Sequence, residues 1–358
     1  MALISRLCMQ ILSWWQNTPL PADLSIATLI SQSWHEFGAT SDRWTAVGPA
    51  PETRSRSGDA TGRDSRQLVL VTWNVDGCSP LPESRLSAII SHILSQVPAV
   101  DIIFLQEVSP AALSFLMNDI RIRQHWFSSD ADAANWGGQG FGSLTLLSKM
   151  RFGYPKESSG RPTLGAVWRV RYPSRFGRDA LCCDVFLPIS TSPSTAATTA
   201  ATTAARIRLV NVHLDSLPIQ PSQRPEQLSI VASLLRSSCR GLAAGDFNPV
   251  LPEDETLVRD NGLVDAWTEL HPENPGFTWG IDGKQSFPPN RLDKVALLGL
   301  RVRDIELLHP DFVQGPQTHP EAVFAEGSTN PEQEQISYEV VSCSDHSGLR
   351  CTFELGGS

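Results

Sequence analysis

The chain has 358 residues, 41% of them hydrophobic and 19% charged, enough apolar material for a buried core in one large domain or two small ones. A formal net charge of −9 argues against a protein that coats duplex nucleic acid through a uniformly basic surface, although a cleft of opposite local sign is compatible with it. Seven cysteines, an odd number with no C-x-x-C pair, argue against a disulfide framework and a zinc site, and no run reaches the roughly 18 apolar residues of a membrane span.

Residues 1–47 read as an N-terminal extension with four tryptophans, Trp14, Trp15, Trp34 and Trp44. The opening MALISRLCMQILSWW lacks a long apolar stretch and a small-residue cleavage site, so an ordinary first helix is expected rather than a signal peptide. Residues 48–66 are polar with Pro and Gly and read as a flexible linker. The main domain, 67–355, then begins on a strand at 67–74, QLVLVTWN. Apolar residues at helical spacing (Leu86, Ile89, Ile90, Ile93, Leu94, Val97) predict a helix over 83–97. A buried strand at 101–107, DIIFLQE, precedes a second helix at 110–120. Further strands are expected at 142–148, 166–170, 180–187, 207–214 and 241–246, with a helix at 223–235 between the last two. Strand–helix alternation mixed with strand pairs predicts an α/β sandwich, two sheets inside and helices outside. The Ser/Thr/Ala tract at 188–205 and the Pro/Glu/Gln-rich stretch at 311–335 read as disordered insertions.

Polar residues cluster where these strands end: Asn74 in TWNVDG, Gln106 and Glu107 in FLQEV, His213 in NVHLDS, Asp246 and Asn248 in AGDFN, Asp293 in NRLD, Asp345 and His346 in SDHSGL. Each string alone has an ordinary structural explanation. Asn74 suits a turn, Glu107 a helix N-terminus, and His213 a hydrogen-bonded core position. Together they suit a hard cation. A Glu at the end of an apolar strand is costly to desolvate without a cationic partner, and Mg²⁺ takes oxygen ligands from only one or two carboxylates. Asp246 beside Asn248 offers a carboxylate and an amide to activate and orient water. His213 and His346 can donate to charge developing on a phosphoryl group, with Asp293 fixing one imidazole.

The ordered set N, QE, H, GDxN, RxD and SDH resembles the endonuclease/exonuclease/phosphatase superfamily over about four fifths of the chain. The resemblance implies a four-layer α/β/β/α sandwich and a metal-dependent phosphodiesterase. Within the superfamily TWNVDG, IIFLQEV, HLDS, GLVDAWTEL, FTW and RLDKVAL are most similar to the tyrosyl-DNA phosphodiesterase 2 branch, which cleaves 5′-phosphotyrosyl bonds in DNA repair. That resemblance implies Glu107 as the principal Mg²⁺ ligand (Mn²⁺ being the alternative ion), with Asn74 and Asp345 beside it. It implies Asp246 and Asn248 as the water-activating pair, His213 and His346 at the phosphate, and Asp293 orienting His346. Trp279 and Ser216 would contact substrate, Trp279 as a platform for a base, although an FTW string also suits a core anchor. A DNA end or protein–DNA adduct, a monomer, no membrane, and a nuclear or cytoplasmic setting complete the expectation. Abasic-site endonucleases, deadenylases and an inactive scaffold on the same fold are the alternatives. Inositol phosphatases and secreted sphingomyelinases fit less well, for want of basic head-group loops and a signal peptide respectively.

The chain departs from that branch at two places. Pro218 stands where an Arg follows the HLES-like segment, and Pro249 and Val250 follow GDFN where a basic residue is usual. Arg224 is the candidate replacement cation.

Overall fold

The computed structural model describes residues 27–48, 67–155, 160–187, 205–316 and 338–355. The expected first helix and nearly all of both the linker and the 188–205 tract fall outside them. In chain order the elements begin with β1 (Thr28–Gln32), β2 (His35–Gly38), β3 (Arg43–Ala46), β4 (Gln67–Asn74), α1 (Pro82–Leu94) and β5 (Ile102–Val108). Next come α2 (Pro110–Asn118), α3 (Ile120–His125), β6 (Trp126–Ser128), β7 (Gly142–Ser148), β8 (Thr163–Arg171), β9 (Asp179–Phe186) and β10 (Arg206–His213). They continue through α4 (Arg224–Ser238), β11 (Gly241–Asp246), α5 (Leu257–Asp260), β12 (Val264–Asp265), α6 (Ala266–Leu270), β13 (Asp293–Leu298) and β14 (Arg301–Leu308). The last are β15 (Phe312–Pro316), β16 (Tyr338–Ser342) and β17 (Gly348–Glu354).

Two mixed sheets face each other. One has the order β1-β8-β9-β10-β11-β13-β12 and the other β14-β17-β4-β5-β7-β6-β2-β3. The period-two alternation of strands assigns the layers. Along β4, Leu68 and Leu70 point to the opposing sheet, where they meet Leu209, Leu242 and Val295. Val69, Val71 and Trp73 point outward onto Leu86, Ile89, Ile90 and Ile93 of α1. On the other side Val210, Val212 and Ala243 lie beneath Leu228, Val231 and Leu235 of α4. Strands covered on both faces need near-continuous apolar runs, which is why QLVLV and DIIFL carry so few polar residues. The result is the four-layer α/β/β/α sandwich.

Two features differ from expectation, and a third shows how the N-terminal extension packs on the sheets. The helix expected over 110–120 is two helices, because Asp119 leaves helical geometry (φ −66°, ψ 121°) and its carboxylate caps a new start at the Arg121 amide, 2.8 Å away. Phe312–Pro316, at the start of the expected 311–335 insertion, form a ribbon with Tyr338–Ser342 that pairs Val313 with Val341. Overall composition hid this pairing of two short segments distant in sequence, and 317–335 lie outside the described residues. Within the N-terminal extension, β1 joins the edge strand β8, and β2 joins β6 through His35 and Ser128. Trp34 is buried between them and donates to the Gly165 carbonyl at 3.1 Å.

Candidate active site at the end of the inter-sheet core

The site is the upper end of the layer between the sheets. The inward parity that buries Leu68 and Leu70 continues to Thr72 and Asn74. Ile102 and Phe104 lead to Gln106; Ile207 and Leu209 to Asn211 and His213; Leu242 and Ala244 to Asp246; Leu297 and Val295 to Asp293. Register then places the polar ends side by side: Asn74 opposite Gln106, His213 opposite Asp246, and Asp246 opposite Asp293. Rigid strands thus hold groups that are far apart in sequence.

Asp246 is at the centre. Its Oδ2 accepts from Asn74 Nδ2 at 3.1 Å and its Oδ1 from the Asn248 amide at 2.9 Å. Burial raises its pKa to about 6, against the opposing pull of His346. Gly245 before it permits the close packing of β11 on β10, since a Cβ there would lie 2.0 Å from the Val212 carbonyl oxygen. His213 Nε2 has no hydrogen-bond partner and lies 3.5 Å from Asp246 Oδ2 and 3.7 Å from Glu107 Oε1. Burial, then the charges of Arg178 and His346, hold this imidazole well below its ordinary pKa, so it is neutral. His346 is the opposite case. Burial alone would lower its pKa, but Asp293 and Asp345 together drive it well above the ordinary value. Asp293 Oδ2 lies 2.8 Å from His346 Nδ1 and fixes the ring with Nε2 directed away.

Glu107 reaches the site through a backbone irregularity. Strict alternation would send it outward with Ile103 and Leu105. Instead the β5–β7 register breaks between Leu105 and Val108, and Glu107 has φ 58°, a left-handed conformation that is costly for a residue with a Cβ. Gly77 makes room for it, because a Cβ there would meet the Glu107 carbonyl oxygen at 1.9 Å. Burial raises the Glu107 pKa to about 7, with Arg178 opposing and Asp76 and Asp345 reinforcing. Asp76, which the motif reading passed over, belongs to the same acidic group. Its carboxyl is raised by burial and by Asp345, and Arg85 grips it at 2.6 Å. Among the described residues no three His, Cys, Asp or Glu side chains already converge on one point. Mg²⁺, which keeps most of its waters, needs only one or two of these carboxylates, and an oxygen-only set crowded with negative charge fits it.

Trp279 is half-buried at the rim and donates from Nε1 to Asp345 Oδ2 at 2.9 Å; its backbone pairs with Asn290 and His346. The expectation for Arg224 is corrected. It is 1% exposed, ion-paired to Asp254 at 2.8 Å, and its Nη1 donates to the Asp215 and Leu217 carbonyls. It braces the loop after β10 from inside and cannot reach a phosphate. The cation at the site is Arg178, just before β9. Its Nη2 donates to Ser216 Oγ at 3.2 Å, and its guanidinium lies 4.7 Å from the Phe141 ring centroid and 5.7 Å from that of Phe176. Phe141 in turn stacks on His213 at 6.0 Å. A cavity of about 30 Å³ lined by Trp136, Gln139, Phe141, Phe176, Arg178 and His213 opens beside this stack. Nothing in FGRD flags Arg178. A motif search keyed to the stretch after HLDS looks in the wrong loop, since β8–β9 supplies the charge.

A sequence model described as the Endonuclease/Exonuclease/phosphatase family matches residues 71–346. No curated protein matches the chain. Among solved structures, D. rerio TDP2 complexed with single strand DNA product is 20% identical and superposes with a TM-score of 0.54, covering 80% of this chain and 99% of that one. Truncated Caenorhabditis elegans TDP2 is 19% identical with a TM-score of 0.54, covering 80% and 97%. A family protein from Bacteroides thetaiotaomicron is 13% identical with a TM-score of 0.52, covering 82% and 99%. At these identities the likeness is one of fold, and it agrees with the two-sheet topology. The family match runs from within β4 to the His346 loop and takes in every strand end described above, and the chain belongs to the endonuclease/exonuclease/phosphatase family.

Proposed function

We propose that this protein is a Mg²⁺-dependent phosphodiesterase, able to use Mn²⁺, that hydrolyses 5′-phosphotyrosyl DNA adducts at a DNA end. The carrying observation is Arg178. It is a buried guanidinium, 8% exposed, whose side chain makes no ion pair among the described residues and whose Nε has no partner. The carboxylate its charge acts on is Glu107, on the metal side of the site, so a buried guanidinium with no ion pair of its own favours a ligand that brings further negative charge. Arg178 sits between two phenyl rings beside His213, a setting that suits an aromatic group carrying developing negative charge. A tyrosyl leaving group, with a phenol pKa of about 10, needs charge stabilisation more than protonation. Solved TDP2 structures of the same fold, one holding a single-strand DNA product, support this choice over other phosphodiesters.

In this reading Asp246 takes the proton of the attacking water, and a carboxyl raised to about 6 is well matched to neutral pH. Asn74 holds the Asp246 carboxylate in place. His346, protonated and anchored by Asp293, donates from Nε2 to a phosphoryl oxygen. Neutral His213 offers a second donor from the opposite strand. Glu107, with Asp76 and Asp345, would hold Mg²⁺, which when bound supplies positive charge for the phosphoryl oxygens.

Hydrolysis rates on 5′-phosphotyrosyl DNA, 3′-phosphotyrosyl DNA, abasic duplex, poly(A) RNA and bis-p-nitrophenyl phosphate, each with Mg²⁺ and with EDTA, test the proposal. The first substrate should lead, with EDTA abolishing turnover. Arg178→Leu should slow tyrosyl release by about 100-fold, the range seen on removing one charge-stabilising donor. It should slow p-nitrophenolate release less, since that group leaves more readily. Equal losses on both would remove Arg178 from the leaving-group role, and preference for another substrate would displace the phosphotyrosyl assignment.

A pH effect follows from the raised carboxyls. Protons compete with the metal at Glu107 (about 7) and silence Asp246 (about 6), so both act in one direction. Apparent Mg²⁺ affinity and kcat/KM should rise together as pH passes from about 6 to about 7, with protons released on metal uptake. Calorimetry near pH 6.5 in two buffers of different ionisation enthalpy reads the release; equal heats would contradict it.

A further inference from the structure

The apolar layer between the sheets is interrupted just below the site by three fully buried polar side chains, Thr72, Gln106 and Asn211. Gln106 Nε2 donates to Thr72 Oγ1 at 3.0 Å and across the sandwich to Asn211 Oδ1 at 2.8 Å. Asn211 Nδ2 donates back to the Leu105 carbonyl at 3.2 Å and the Leu144 carbonyl at 2.9 Å. Those two carbonyls have a specific place. Leu105 pairs with Leu144 at the last regular rung before the β5–β7 ladder breaks, and the break is where Glu107 turns inward. One amide from the opposing sheet therefore holds the last rung on both strands and also grips the side chain of Gln106, the residue just before Glu107. Both the donor and the acceptor of the Asn211 amide are engaged, whereas Gln106 Oε1 has no partner, so it is the Asn211 end of the network that fixes the geometry.

We infer that Asn211 is a positioning residue for the phosphodiester site: it locks the β5 bulge that aims Glu107, and sets its spacing from His213 and Asp246. Asn211 lies two residues before His213 on β10, whose terminal residue pairs with Asp246, so the same strand carries the reacting groups and the lock. The inference rests on Glu107 being the metal-side carboxylate. It extends that reading by naming what sets the distance between the two halves of the site, which sit on different sheets.

Asn211→Leu keeps the bulk and removes the hydrogen bonds; Asn211→Ser keeps one hydroxyl and serves if the first variant folds poorly. Leu209→Ala, on the same strand and inner face, is the control for general destabilisation. At a temperature where all are folded, Asn211→Leu should lower kcat/KM and weaken Mn²⁺ binding, read by electron paramagnetic resonance without substrate, each by about 10–100-fold. Asn211→Ser should fall between it and the parent, and Leu209→Ala should stay within about twofold of the parent in both readouts. Parent-like Mn²⁺ binding in folded Asn211→Leu, or in Asn211→Ser where the first does not fold, would overturn the inference. So would an equal loss in Leu209→Ala. A parent protein that binds no Mn²⁺ would instead mark failure of the metal reading. Amide hydrogen exchange over residues 103–109 then decides: faster exchange in Asn211→Leu than in Leu209→Ala supports the lock, and equal exchange refutes it.

Discussion

Asp246→Asn is expected to lower kcat by about 10²–10⁴-fold, the range ascribed to a positioned general base, with the fold intact. The side chain is 2% exposed, and its carboxylate accepts from Asn74 and from the Asn248 amide. An Asn in its place can keep the Oδ1 contact to the Asn248 amide. On the other side its amide faces that of Asn74, which must turn or lose one hydrogen bond. The variant no longer buries a carboxyl whose pKa burial raises to about 6, so the charge lost is one the folded state disfavours. Its thermal midpoint should therefore match or exceed that of the parent. Circular dichroism melting and single-turnover rates at saturating Mg²⁺ measure the two properties separately. Near-parental turnover would show that the proton goes elsewhere.

Glu107→Gln should raise the Mg²⁺ concentration for half-maximal activity by about 1,000-fold, with little change in kcat once metal is saturating. A unit charge at about 4 Å contributes roughly 4 kcal/mol at an effective dielectric of 20, and each tenfold in affinity is about 1.4 kcal/mol. The shape of the side chain is retained, and φ 58° at this position is equally adverse for Gln and Glu, so backbone strain does not confound the comparison. Asp76 and Asp345 remain, which is why a weakened site is expected rather than a lost one. An unchanged metal titration would remove Glu107 from the metal.

Strand positions were legible because each central strand is covered on both faces, and double burial writes a short β-branched apolar run with a polar end. β4, β7 and β11 match the expected ranges. The polar ends were legible for the same reason: Asp246 and Asp293 are the first inward positions past the core, Asn74 and His213 follow one buried polar position each (Thr72 and Asn211), and every string borders an apolar run. Arg178 and Asp76 were not legible. Arg178 gains its role only when the β8–β9 turn folds over β10, and that contact leaves no mark in FGRD. Asp76 stands two residues after Asn74 in plain view, but its place among the acids depends on a positive φ and on Arg85, nine residues on. The Arg224 expectation failed for a related reason. Proximity in sequence to HLDS put it near the site, while the first turn of α4 aims its guanidinium inward at Asp254.

The strands β1 to β3 alter what counts as the minimal enzyme. The recognisable motifs start at residue 67, and a fragment cut there would retain every group described at the strand ends. It would also strip the partner from β8 in one sheet and from β6 in the other, on the same side of the sandwich. The ladder along β8 and a single rung on β6 would then lose their partners, leaving unpaired amides and carbonyls of the kind that lets one copy add strands to the next. The residues upstream of the first motif thus cover two sheet edges, and a gene trimmed to its motifs is expected to encode the strand-end groups together with a tendency to add strands between copies.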